Sequence, residues 1–165
     1  MSIFEQALAL DLDKKYYDAI LLYEEALKTG ETPIDLYINL SFIYFHTAAE
    51  FPWAFEYEIP NSVKNICWNR CLVIINEAIT IHPENSEVQF WKLYFQHRLI
   101  DTELSEEDIE DIVAKYKDGN LVPYFFACLY DREKYKTKTD ILVEQCKALP
   151  TAKNIYILSF FSNPT

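Results

Sequence analysis

An all-α fold is predicted for this chain of 165 residues, and three observations predict it. Apolar residues recur at the spacing of amphipathic helices rather than in the strict alternation of strands. Glycine is scarce: only Gly30 and Gly119 occur, each where one helix should stop and a turn begin. Small residues return at regular intervals, among them Ala7, Ala26 and Ser41, as they must where two helices approach closely.

The elements follow in order. Ile3-x₂-Gln6-Ala7-x₂-Leu10 reads as a first helix. The segment Tyr16 to Lys28 places Tyr16, Ala19, Ile20, Tyr23, Ala26 and Leu27 on one helical face. After Pro33 comes Tyr37-x₂-Leu40-Ser41-x₂-Tyr44, inside an uncharged run of fourteen residues from Leu36 to Ala49. That run is shorter than the roughly 20 residues a bilayer span needs, so it reads as a buried helix. Cys71-x₃-Ile75-x₂-Ala78 then leads to Pro83, and Phe90-x₂-Leu93-Tyr94-x₂-His97 follows. Ser105-Glu106-Glu107-Asp108 resembles a helix start with acid in its first turn and opens Ile109-x₃-Val113-x₂-Tyr116. Two further segments, Phe126-Ala127-x₂-Tyr130 and Thr139-x₃-Val143-x₂-Cys146, precede a last apolar stretch from Ile155 to Phe161.

Taken together, Ala19-x₃-Tyr23-x₂-Ala26 and Tyr37-x₂-Leu40-Ser41-x₂-Tyr44 resemble the tetratricopeptide repeat, a helix–turn–helix unit of about 34 residues. The intervals agree: twelve residues from Ala7 to Ala19, fifteen from Ala26 to Ser41, and twelve again from Ala127 to Thr139. Gln6 and the bulky Tyr94 depart from the pattern. Ser41 to Cys71 spans thirty residues instead of twelve, which implies an insertion of about eighteen, at about 46–63. The resemblance implies a single domain over 1–165, a right-handed α-α superhelix of three to four helix pairs, and a C-terminal capping helix closing the open end of the stack.

It also implies that the protein binds other proteins. In the family, leading helices line a concave groove, whose positions here are Asn39, Phe42 and His46, then Trp91, Lys92, Phe95 and Arg98, then Tyr124, Phe125 and Cys128. These are mainly aromatic, and helical aromatic stripes are also commonly core, so both readings stand. Only Asn39, Lys92 and Arg98 suggest the polar grip that family members use on a peptide carboxylate, which argues against that mode. The insertion centre, Glu50-Phe51-Pro52-Trp53-Ala54-Phe55-Glu56-Tyr57-Glu58-Ile59-Pro60, carries two prolines and four aromatics. Either it folds back on the helices or it meets a partner.

Charge narrows the partner. The net charge is −11, from 26 acidic and 15 basic residues. Nucleic acid and anionic membranes need a clustered cationic surface, so neither is an expected ligand. A basic protein or peptide is favoured instead, with Glu106, Glu107 and Glu110 as a candidate docking surface or, more plainly, a solvated helix face.

No catalytic signature stands out: there is no G-x-S-x-G, no phosphate-cradling glycine loop and no H-E-x₂-H among His46, His82 and His97. No metal or cofactor is expected. The four cysteines form no C-x₂-C pair, and the start, Met1-Ser2-Ile3-Phe4-Glu5, lacks the features of a signal peptide. A reduced, cytoplasmic setting is the expectation. The functional expectation is therefore a non-enzymatic protein-binding module; the alternative is an immunity protein or small secretion chaperone holding one specific toxin or effector, with an unrecognised enzyme a distant third.

Overall fold

The structure is a computed structural model that describes residues 1–161; residues 162–165, the end of the single domain expected from the sequence, lie outside the described residues. Eleven helices and no strand are present among the described residues. Five of the helices begin at a side chain that caps them. Ser2 and Glu5 exchange side-chain and backbone hydrogen bonds in a capping box at the head of α1 (Ile3–Leu12), and Ser105 with Asp108 does the same for α8 (Glu106–Tyr116). Asn85 caps α7 (Ser86–Ile100), Asp131 caps α10 (Arg132–Ala148), and Thr151 caps α11 (Ala152–Ser159). Gly30 and Gly119 both have positive φ, 85° and 74°, as the sequence requires of glycines at helix exits.

α1 lies against α2 (Tyr16–Lys28), α3 (Ile34–Ala49) against α6 (Cys67–Ile81), α7 against α8, and α9 (Tyr124–Ala127) against α10. The small residues Ala7, Ala19, Ala26, Ser41, Cys71, Ala78 and Ala127 are all fully buried, which lets neighbouring backbones approach. Between α3 and α6 the insertion folds into α4 (Phe51–Glu56), with Pro52 in its first turn, and α5 (Asn61–Lys64), with Pro60 just before it.

Two features depart from the sequence reading. Tyr130, placed by spacing at a packing position, is half exposed, and its hydroxyl bonds the Leu104 carbonyl instead. The last helix begins at Ala152 rather than Ile155 and does not simply cap an open end. It lies across the faces of α3, α7 and α9, where the Tyr156 ring meets Phe42 at 5.2 Å, Phe45 at 6.2 Å, Tyr94 at 6.3 Å and Phe125 at 6.4 Å. The physical reason is plain: those faces present a continuous aromatic surface, and α11 carries Tyr156 and Ile157 to cover it.

Candidate functional site

The residues expected to line a groove do converge, but on a helix of the chain itself. Phe42, Trp91, Phe95 and Phe125 are fully buried; Phe95 stacks on Phe45 at 4.7 Å and on Trp91 at 5.6 Å. Cys128 is buried with its thiol donating to the Phe125 carbonyl, and Asn39 donates to the Tyr23 hydroxyl at 3.4 Å. Of the two readings open for these aromatics, core and ligand contact, the structure takes the first. Burying an aromatic side chain contributes about 1.5–3 kcal/mol, and α11 supplies the cover. Lys92 and Tyr124 sit elsewhere. Lys92 borders a shallow cleft with Asp111, Ile112 and Tyr116 of α8, while Tyr124 packs on Tyr135 with the Lys138 ammonium 5.1 Å from its ring.

The acidic run is also partly engaged. Lys134 binds Glu106 at 2.8 Å and Glu110 at 2.5 Å, and the Tyr135 hydroxyl donates to both carboxylates. These contacts hold both carboxyls below their ordinary pKa and tie α8 to α10. Glu107 remains exposed.

Two buried polar clusters hold α11 in place. Asp11 accepts from the Ala152 backbone N–H at 2.7 Å and from the Tyr23 hydroxyl at 3.0 Å. Burial pushes its carboxyl up to about 6, against the opposing pull of those two donors. Lys153 donates to Glu87 at 2.7 Å, and the same carboxylate accepts from Trp91 at 3.0 Å and Asn120 at 2.9 Å. Burial opposes the Glu87 charge, but Lys153 and the two neutral donors outweigh it and hold the carboxyl below its usual range. Glu87, Asn120, Cys146, Lys153 and Asn154 border a polar cleft of about 360 Å³, with Glu87 and Lys153 paired to each other and Asp118 on the border held by Ser86 and the Asn120 backbone. Burial pushes the Cys146 thiol up to about 11 and Cys71 to about 12, so neither is a thiolate nucleophile near neutral pH. No cluster of three or more His, Cys, Asp or Glu residues suited to a metal ion exists among the described residues.

An open cleft lies at the insertion. Between α4 and α11 is a cleft of about 450 Å³ bordered by Tyr16, His46, Glu50, Trp53, Glu56, Tyr57 and Tyr156, together with Pro52, Ala152, Ile155 and Ser159. Tyr16, Trp53 and Tyr57 form a ring cluster, and His46 sits 4.4 Å from Trp53 and 5.1 Å from Tyr156. Arg98, outside the lining, binds the border residues Glu50 at 3.1 Å and Tyr156, through its hydroxyl, at 2.8 Å. Burial, helped by the Arg98 charge, lowers His46 to about 4, so the imidazole is neutral. Its Nδ1 is buried without a hydrogen-bond partner among the described residues.

Beside this cleft, Phe51 and Phe55 stand on α4 one helical turn apart and are 68% and 73% exposed. The insertion folds back in part: Trp53, Ala54 and Ile59 pack on the helices, and Phe51 and Phe55 stay exposed. Of the groove residues named from sequence, His46 lines this cleft and Arg98 binds its border residues Glu50 and Tyr156; Tyr16 was missed, and Glu50, Trp53, Glu56 and Tyr57 were singled out only as part of the insertion. The signal was available as the spacing Trp53-x₃-Tyr57 between prolines, but nothing local said that Tyr16 and α11 would face it. Compared with known proteins, the chain matches no family model, no curated protein and no solved structure.

Proposed function

We propose that this is a non-enzymatic protein-binding module whose partner docks on the face formed by α4 and the cleft beside it. The observation that carries this reading is the pair Phe51 and Phe55, large aromatics held exposed on a short helix whose other side is anchored by Trp53 and Ala54. An aromatic pair on a rigid support is the make-up of a binding hot spot. The groove expected from the repeat resemblance offers less, because α11 covers the aromatic faces of α3, α7 and α9. With a net charge of −11, a basic partner is steered toward the protein, as suits either an adaptor or a neutraliser of one toxin or effector.

Affinity capture followed by binding kinetics on the purified partner tests this. A single tight basic partner supports neutralisation, and several weak ones support an adaptor. In either case the Phe51→Ala, Phe55→Ala double variant should dissociate at least about tenfold faster with little change in association. Raising salt should slow association more than it speeds dissociation. Wild-type dissociation in the double variant would remove α4 as the docking face.

A further inference from the structure

We propose that the cleft between α4 and α11 is a binding site for a guanidinium group, the side chain of an arginine presented by a basic partner. The inference rests on the partner-binding reading above for the source of that arginine. The cleft is walled by aromatic rings: Tyr16, Trp53 and Tyr57, with centroids 4.7 to 5.3 Å apart, stand toward α4, and Tyr156 stands on α11. Glu50 and Glu56 are the charged residues on its border, and no lysine or arginine is among the residues that line it. A cation is attracted to ring faces. A planar guanidinium also stacks on them while donating paired hydrogen bonds to a carboxylate, which an ammonium does not do.

The chain sets two of its own arginines against a carboxylate and a tyrosine hydroxyl. Arg70 donates to the two oxygens of Glu24 at 2.8 and 2.6 Å, and the Tyr44 hydroxyl joins the same carboxylate at 2.7 Å. Arg98 donates to Glu50 at 3.1 Å and to the Tyr156 and Tyr94 hydroxyls at 2.8 and 3.3 Å. Glu56 borders the cleft with Tyr16 and Tyr57 and forms no ion pair with a described residue. Arg98 neutralises Glu50, so Glu56 is the charge left for an incoming cation. Lys14 and Lys15 border a neighbouring cleft that shares Tyr16, Glu56 and Tyr57 with this one, and Lys15 lies 4.0 Å from Asp13.

His46 supplies an independent sign of an absent partner. It borders the same cleft, is only 8% exposed, and its Nδ1 has no hydrogen-bond partner among the described residues. A neutral imidazole does not repel a cation, and in the tautomer that carries its proton on Nε2 the Nδ1 accepts from an N–H donor. A guanidinium reaching the floor of the cleft brings such donors.

The test uses the whole chain with N-acetyl-arginine amide as the probe, read by proton–nitrogen correlation spectra at constant ionic strength. Saturable shifts are expected at the Trp53 indole and at the amides of Glu56, Tyr57 and Ile155. The uncharged isostere N-acetyl-citrulline amide should bind at least about tenfold more weakly, since the charge-assisted bonds are lost. Glu56→Gln, an exposed change that leaves the rest of the spectrum native, should weaken the arginine probe about fivefold. The absence of saturable shifts, an equal response to citrulline, or shifts clustered away from the cleft would overturn the assignment. If the probe fails while partner capture still depends on Phe51 and Phe55, the guanidinium site falls and the docking face stands. If the probe binds and capture is indifferent to those two residues, the reverse holds.

Discussion

At the residue scale, Asp11 and His46 make opposite demands on the solvent. The folded pKa of Asp11, about 6, lies above its ordinary 3.8, so its contribution to stability is present below about pH 4 and is lost as pH rises to about 6. His46 is depressed from 6.5 to about 4, so its contribution is present above about pH 6.5 and is lost as pH falls toward 4. Each is worth on the order of 3 kcal/mol at 1.36 kcal/mol per unit, and in the shared window they offset one another. Urea denaturation of Asp11→Asn should therefore expose the His46 slope, with stability falling as the solution is acidified from pH 6.5 to 4. His46→Phe should expose the opposite slope. Curves parallel to that of the wild type in both variants would contradict these assignments.

The Glu87–Lys153 pair obeys a harsher rule, because both partners are buried. Removing one leaves the other charged and unpaired, so Lys153→Met should cost about 3–5 kcal/mol. Adding Glu87→Gln should recover much of that loss. An unchanged urea midpoint in the single variant would mean that the pair is not buried in solution.

At the scale of the element, local pattern predicts well and long-range cover does not. The pairs α1/α2 and α3/α6 were legible because Ala7, Ala19, Ala26, Ser41, Cys71 and Ala78 mark close contacts that each segment carries in its own spacing. Replacing Ala26 or Ala127 with Leu should cost about 1–3 kcal/mol by overpacking, as read from the thermal midpoint. No loss in either would show that these are not close helix contacts. α4 offers a sharper contrast within six residues. Trp53→Ala should cost about 3 kcal/mol, since its ring is wedged among Tyr16, His46 and Tyr57, whereas Phe51→Ala and Phe55→Ala should stay within about 0.5 kcal/mol. Equal losses for all three would mean that the exposed pair is packed.

For the whole molecule, the place of α11 was hidden from the sequence for a physical reason. Periodicity reveals that Phe42, Trp91 and Phe125 share apolar faces, but not what covers them. The cover comes from contacts between distant positions, such as Ala152 with Asp11 across 141 residues and Lys153 with Glu87 across 66. The candidate site was missed for the same reason: the insertion supplies Trp53, Glu56 and Tyr57, Tyr16 packs on them from distant α2, and Tyr156 completes the cleft only once α11 has docked.

That docking is the central claim, because it both closes the expected groove and leaves the cleft beside α4. Nuclear Overhauser spectra of the whole chain test it most directly. Cross-peaks should join the Tyr156 ring to Phe42, Phe45 and Phe125, whose centroids lie 5.2, 6.2 and 6.4 Å away, and α11 amides should exchange with solvent as slowly as those of α3. Missing cross-peaks together with fast exchange confined to α11 would contradict the account and return the groove to an outside ligand.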